Sequence, residues 1–231
     1  MHNKIIAIVP AAGLGRRFGQ DRNKPFETLG GKPLIIWALE TLDRMAEVDE
    51  IIPVLKGCDV PGGLELFSRF RISKIWRVAP GGRERQDSVF NALGLIREEA
   101  PVVLVHDGVR PLLEAGDVRE ALKALDGCDG VVIAVRPKDT IKELAGDIVR
   151  QTLKRDILVA VQTPQIFRYQ SLFLAYERAM KESFYATDDA ALVEWNGGRI
   201  RAVTGSYTNI KVTTPEDLIV AEAFLNMRKE R

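Results

Sequence analysis

Short, almost wholly apolar runs rich in β-branched residues alternate along this chain with segments whose apolar residues recur at helical spacing. No other feature limits its fold so sharply. The strand-like runs are Lys4–Val9, Glu50–Leu55, Lys74–Val78, Val102–His106 and Val131–Val135. Pro33–Met45 and Gln86–Glu98 carry the helical pattern, and Asp117–Leu125 carries it more briefly. Strands apolar on both faces belong to a parallel sheet covered by helices on either side. The expected class is therefore α/β, with a doubly wound, mostly parallel, Rossmann-like sheet. Such sheets bind ligands beyond the carboxyl ends of their strands, so the loops after the strands are the first places to look for chemistry.

The 231 residues and 46% apolar composition suffice for one sizeable core, and a single domain over 1–231 is expected. The segment Pro137–Val161 breaks the alternation. Two short, polar, strand-like pieces, Thr140–Glu143 and Ile148–Leu153, flank a turn at Ala145-Gly146-Asp147. A hairpin like this buries no core of its own. It either packs on a second subunit as a β-arm or folds back on its own sheet. Beyond it, helices are expected at Gln170–Lys181 and Asp188–Trp195, a strand at Arg199–Thr204, and a last helix opening at Thr214-Pro215-Glu216, with Thr214 as N-cap.

Charge removes whole classes of function. With 33 Lys+Arg against 32 Asp+Glu the net charge is +1, which does not suit bulk nucleic-acid binding but leaves room for a local anion site. The first apolar run, Ile5–Ala12, contains Pro10 and is too short to span a membrane. It also lacks the pattern of a secretory signal, so a cytoplasmic protein is expected. Two distant cysteines, Cys58 and Cys128, and two histidines make neither a disulfide framework nor a zinc centre.

The loop Pro10-Ala11-Ala12-Gly13-Leu14-Gly15-Arg16-Arg17-Phe18-Gly19 follows the first strand directly. Small residues there let backbone N–H groups approach an anion, and the two arginines add charge. A dinucleotide fingerprint starting at Gly13 fails at Phe18, and a Walker A loop fails at Phe18 and Gly19. The second strand ends in Val54-Leu55-Lys56 with no acid to hold a ribose, which weakens an oxidoreductase reading further. Lys24-Pro25 adds a cation just past the turn. Phosphate binding and a tight structural turn with solvated arginines both remain open on the loop alone.

Later segments add to this loop: Gly81-Gly82-Arg83-Glu84-Arg85-Gln86-Asp87-Ser88-Val89, Val105-His106-Asp107-Gly108-Val109-Arg110-Pro111, Asp139-Thr140 with Thr163-Pro164-Gln165, Thr187-Asp188-Asp189, and Asn209-Ile210-Lys211-Val212-Thr213. Together, in this order, they resemble the 2-C-methyl-D-erythritol 4-phosphate cytidylyltransferases of non-mevalonate isoprenoid synthesis. The resemblance covers nearly the whole chain. It implies transfer of CMP from CTP to methylerythritol phosphate, with Mg²⁺ as cofactor and pyrophosphate released. It also implies a homodimer joined through the arm at 137–161. Arg83 stands where some members carry an acid, and Gly108-Val109 where two alanines are common.

By that resemblance Arg17, Lys24 and Lys211 are catalytic, Arg17 on the triphosphate and Lys24 on the α-phosphate. Ala11, Ala12, Gly13 and Arg16 hold nucleotide, while Gly82, Arg83 and Ser88 read the cytosine. Asp107, Arg110, Thr140, Arg155, Thr163, Thr187 and Lys211 serve the acceptor, Thr140 and Arg155 from the neighbouring subunit's arm. Asp107 also holds the metal, directly or through water. His106 is expected to be a packed strand residue. A sibling enzyme acting on ribitol 5-phosphate would share the nucleotide site and differ only on the acceptor side.

Overall fold

In a computed structural model, residues 4–13, 24–97 and 101–229 are described. In chain order the elements are β1 (Ile5–Pro10), β2 (Thr28–Leu29), β3 (Lys32–Pro33), α1 (Leu34–Arg44), β4 (Glu50–Leu55), α2 (Val60–Arg69), β5 (Ala79–Pro80) and α3 (Arg85–Leu93). Then come β6 (Val102–Val105), α4 (Ala115–Lys123), β7 (Gly130–Val135), β8 (Lys142–Ala145), β9 (Ile148–Thr152), β10 (Ala160–Arg168), α5 (Tyr169–Lys181), α6 (Asp189–Trp195), β11 (Ile200–Thr204) and α7 (Pro215–Lys229). Seven strands form the central sheet in the order β11-β7-β10-β6-β1-β4-β5. β10 runs antiparallel to both its neighbours, and the other pairings are parallel.

The period of two in β1 explains why its sequence is apolar throughout. Ile5, Ala7 and Val9 face one layer with α1, α2 and α4, whereas Ile6 and Ile8 face the opposite layer with α3, α5 and α6. The expected α/β class is therefore borne out, with a buried core on each side of a mostly parallel sheet. A third apolar cluster, built from Leu29, Leu34, Leu112, Val212, Ala221 and Leu225, ties the β2–β3 hairpin to α7. That hairpin turns through Gly30 and Gly31, both at positive φ, as a two-residue connection between right-twisted strands requires. Among the described residues, no helix is long and apolar enough to cross a membrane.

Three sequence expectations need correction. Lys74–Val78 is not a strand: only Ile75 bridges to Ile51, and pairing resumes for two residues at Ala79–Pro80. The helix expected over Gln86–Glu98 ends at Leu93, where Gly94 begins a turn that buries Ile96. The first arm strand lies at Lys142–Ala145 rather than Thr140–Glu143, and Gly146 at positive φ makes the turn. Among the described residues the two arm strands pair only with each other. Every residue of β9 is exposed, and Leu144, Ile148, Val149 and Ile157 are each more than half exposed.

Candidate active site

β1, β4, β5 and β6 are mutually parallel, so their carboxyl ends open on the same edge of the sheet. β1 is flanked by β4 on one side and β6 on the other, which makes this edge the point where the chain reverses its winding. A cleft of about 700 Å³ lies there, lined by Pro10–Gly13, Lys24, Pro25, Lys56, Gly82–Arg85, Ser88, Asp107, Val109 and Lys211. The loops are laced together by backbone bonds: Ala11 N–H to Val54 O at 2.9 Å, Gly81 N–H to Leu55 O at 2.7 Å and Gly108 N–H to Pro10 O at 3.1 Å. A Cβ at Gly81 would lie 2.4 Å from the Ala12 methyl, so glycine is what lets the first and third loops meet.

The sequence-predicted nucleotide residues Ala11, Ala12, Gly13, Gly82, Arg83 and Ser88 all line this cleft, together with Lys24 and Lys211. Arg16 and Arg17 lie outside the described residues. Lys24 opens a short 3-10 turn, Lys24–Phe26, whose Pro25 is buried. Glu27 N–H closes the turn on Lys24 O, and Leu34 N–H bonds Glu27 O, which fastens the turn to α1. The Ser88 hydroxyl accepts from Gly82 N–H at 2.9 Å and donates to Glu84 O at 3.0 Å. Its donor is thus engaged in shaping the Gly82–Glu84 turn, and the side chain is 4% exposed.

Asp107 is the carboxylate on which three cations of the cleft region converge. Its Oδ1 accepts from Arg85 Nε at 3.1 Å, its Oδ2 pairs with Lys211 Nζ at 2.8 Å, and Arg110 Nε stands 3.8 Å from Oδ2. Burial alone would raise its pKa; the charges of Arg85, then Lys211 and Arg110, override that and hold the carboxyl well below the usual carboxylate range. Arg110 is buried, with Nη1 donating to Asn209 O at 2.7 Å. The Asn209 side-chain amide donates to Thr163 O at 2.8 Å, and Val212 N–H bonds Val109 O. These bonds seat Lys211 opposite Asp107.

His106 is fully buried and faces away from chemistry, as expected. Its Nε2 lies 3.1 Å from Arg110 O, which can only accept, so Nδ1 takes the proton of Thr163 Oγ1 at 3.1 Å. Thr163 Oγ1 in turn accepts from Asp107 N–H at 3.0 Å. Burial pushes the imidazole pKa down from 6.5 to about 4. The unfolded chain therefore takes up this proton near pH 6.5, the folded one only near 4, and stability is lost as pH falls between those values. The linkage corresponds to about 2 kcal/mol between pH 7 and pH 5. Urea unfolding at the two pH values is expected to show that loss in the wild type and not in His106→Gln; equal losses in both proteins would refute the assignment.

Some expected acceptor residues do not reach the cleft of their own chain. Thr163 is buried behind Asp107 and Arg110 beside it, and Thr187 is exposed just before α6, where Asp188 Oδ1 caps the helix by accepting from Ala191 N–H at 2.9 Å. Thr140 and Arg155 are exposed on the arm, on either side of its two strands, and are absent from the cleft lining. Sequence reasoning assigned no role to Lys56 or Arg85, both of which line it. Lys56 immediately follows β4, and that position at a strand's carboxyl end was the available signal.

Residues 5–227 match the sequence pattern of the 2-C-methyl-D-erythritol 4-phosphate cytidylyltransferase family. This chain belongs to that family. A 2-C-methyl-D-erythritol 4-phosphate cytidylyltransferase of Geotalea uraniireducens is 42% identical over 96% of this chain and 97% of its own length. One from Geobacillus thermodenitrificans is 44% identical, over 96% and 97% respectively. The solved structure of 4-diphosphocytidyl-2C-methyl-D-erythritol synthase from Anaerococcus prevotii superposes with a TM-score of 0.87 at 33% identity, covering 97% of each chain. The cytidylyltransferase fold thus extends over the described sheet and its helices alike.

Proposed function

We propose that this chain transfers CMP from CTP to 2-C-methyl-D-erythritol 4-phosphate, giving CDP-methylerythritol and pyrophosphate. The observation that carries the reading is the cleft itself: small-residue loops, Lys24 and the Asp107–Lys211 pair line one cavity, within a family named for this reaction. An oxygen of the acceptor phosphate attacks the α-phosphorus of CTP and forms the new P–O bond. The α–β bridging bond breaks in line, and its electrons leave with pyrophosphate. A phosphate monoester has a second pKa of about 6, so the nucleophile is already an anion at neutral pH and needs no general base. The site agrees with this, because both nitrogens of His106 are engaged and Asp107 is too weak a base to take a proton.

The protein's task is to hold two anions together and neutralise the charge between them. Lys24, on its fixed turn, is assigned to the α-phosphate, with Arg17 on the triphosphate. Gly82 and Arg83 present backbone to the base on a turn that Ser88 shapes. Lys211 and Asp107 take the acceptor. Among the described residues no group of three or more His, Cys, Asp or Glu could hold a metal. A single carboxylate plus phosphate oxygens nevertheless suits Mg²⁺, which keeps much of its water. Since both Asp107 oxygens are already paired, Asp107 fits an outer-shell position best. When bound, the ion would neutralise triphosphate charge.

The exposed Leu144, Ile148, Val149 and Ile157 support a homodimer joined through the arm. Arg155, on the arm just past β9, would then reach the partner's acceptor site, as would Thr140. The experiment is acceptor-dependent pyrophosphate release from CTP and Mg²⁺, expected with methylerythritol phosphate and absent without it.

A further inference from the structure

In the Thr187-Asp188-Asp189 segment, Asp188 caps α6, which leaves Asp189 without an assigned role. Asp189, the first residue of α6, is fully buried, yet it carries a carboxylate. Its two oxygens receive the guanidinium fork of Arg85, Nη1 to Oδ1 at 3.0 Å and Nη2 to Oδ2 at 2.8 Å. The hydroxyl of Tyr176, itself fully buried on α5, donates to Oδ1. Arg85 opens α3 on the cleft side, so its planar side chain runs from the fully buried carboxylate of Asp189 to the one that lines the cleft, with Nε on Asp107 Oδ1.

This places one guanidinium between two carboxylates with its donors divided: the fork to Asp189, the single Nε to Asp107. A guanidinium without a partner for its fork takes any nearby carboxylate through both oxygens, since that is its strongest geometry. The nearest is Asp107, whose Oδ2 now pairs with Lys211 at 2.8 Å. We propose that Asp189, steadied by Tyr176, is a positioning residue for the reaction: by occupying the fork of Arg85 it limits Arg85 to one oxygen of Asp107 and reserves the other for Lys211. Asp189 touches no substrate. It acts through Arg85 on the rotation of the Asp107 carboxylate and so on where the Lys211 ammonium stands when the acceptor arrives.

The inference rests on the proposed role of Asp107 and Lys211 at the acceptor, and its test is a double-mutant cycle on kcat/KM for methylerythritol phosphate. Asp189→Asn keeps the shape and removes the charge; it is expected to lower kcat/KM by about tenfold to a hundredfold in the wild-type background. In an Asp107→Asn background, where there is no carboxylate for Arg85 to capture, the same change is expected to cost less than about twofold. A buried carboxylate that only supports the fold would cost the same factor in both backgrounds, and that result overturns the proposal. Tyr176→Phe, which leaves every charge in place, repeats the cycle should Asp189→Asn not fold. Its smaller loss, about threefold, must likewise vanish beside Asp107→Asn. Absence of acceptor turnover in the wild-type protein would overturn the proposed function and this inference with it. Turnover with multiplicative losses would overturn this inference alone.

Discussion

Lys24→Ala is expected to lower kcat by about a hundredfold to a thousandfold while weakening CTP binding by less than about tenfold. The asymmetry follows from where the charge changes. Ala11–Gly13 line the same cleft, and on the proposed reading their backbone would also meet the triphosphate in the ground state, so loss of one ammonium is expected to leave most of the binding intact. At the α-phosphorus, attack brings a second phosphate against the first, and a fixed cation there acts mainly on the transition state. Buried Pro25 and the Glu27 N–H to Lys24 O bond fix the backbone turn from which Lys24 lines the cleft. Single-turnover kinetics with calorimetric CTP titration separates the two effects. Unchanged turnover would remove Lys24 from the chemistry.

The second large effect concerns the arm. Arg155→Ala is expected to abolish most activity although Arg155 lies outside the cleft of its own chain. Mixing it with Lys24→Ala after dissociation and reassociation is expected to restore activity. Each mixed dimer then contains one complete site, made of an intact cleft and its partner's intact arm. With random pairing, roughly a quarter of all sites are complete, so about 25% of wild-type activity should return. No recovery would confine Arg155 to its own subunit and end the case for a shared site.

The fold was legible where its signals were local. The parallel strands β1, β4, β6 and β7 are apolar on both faces and announce themselves. β10 did not, because it interrupts its apolar residues with Gln162, Thr163, Pro164 and Gln165. Those polar groups are satisfied only by distant partners: Gln165 by Asp188 and Ala190 N–H, Thr163 by His106 and Asp107. α2 was hidden for a different reason. It opens with Val60-Pro61-Gly62-Gly63, which looks like a turn, yet Gly63 is the point where the helix meets β4: a Cβ there would lie 2.4 Å from Leu55 Cδ1.

The site divides in the same way. The glycine-rich loop and Lys24-Pro25 were legible from spacing and charge as a candidate phosphate loop, with a tight structural turn left open until the family pattern was added. Asp107 and Lys211 needed the family pattern, since an acid at a strand end and a lone lysine have commoner explanations. The link between Arg85 and Asp189, 104 residues apart, has no sequence signal at all and emerges only when α3 and α6 are packed on the same side of the sheet. The consequence for Ser88 is similar: its hydroxyl was legible as a polar group near a helix start, but its two bonds to Gly82 and Glu84 were not.

The most direct test of the central claim is pyrophosphate release from CTP and Mg²⁺ with methylerythritol 4-phosphate and ribitol 5-phosphate measured in parallel. The account predicts turnover that favours methylerythritol phosphate by a large factor and no release without an acceptor. Turnover favouring ribitol phosphate, or CTP binding with release on neither acceptor, would contradict it.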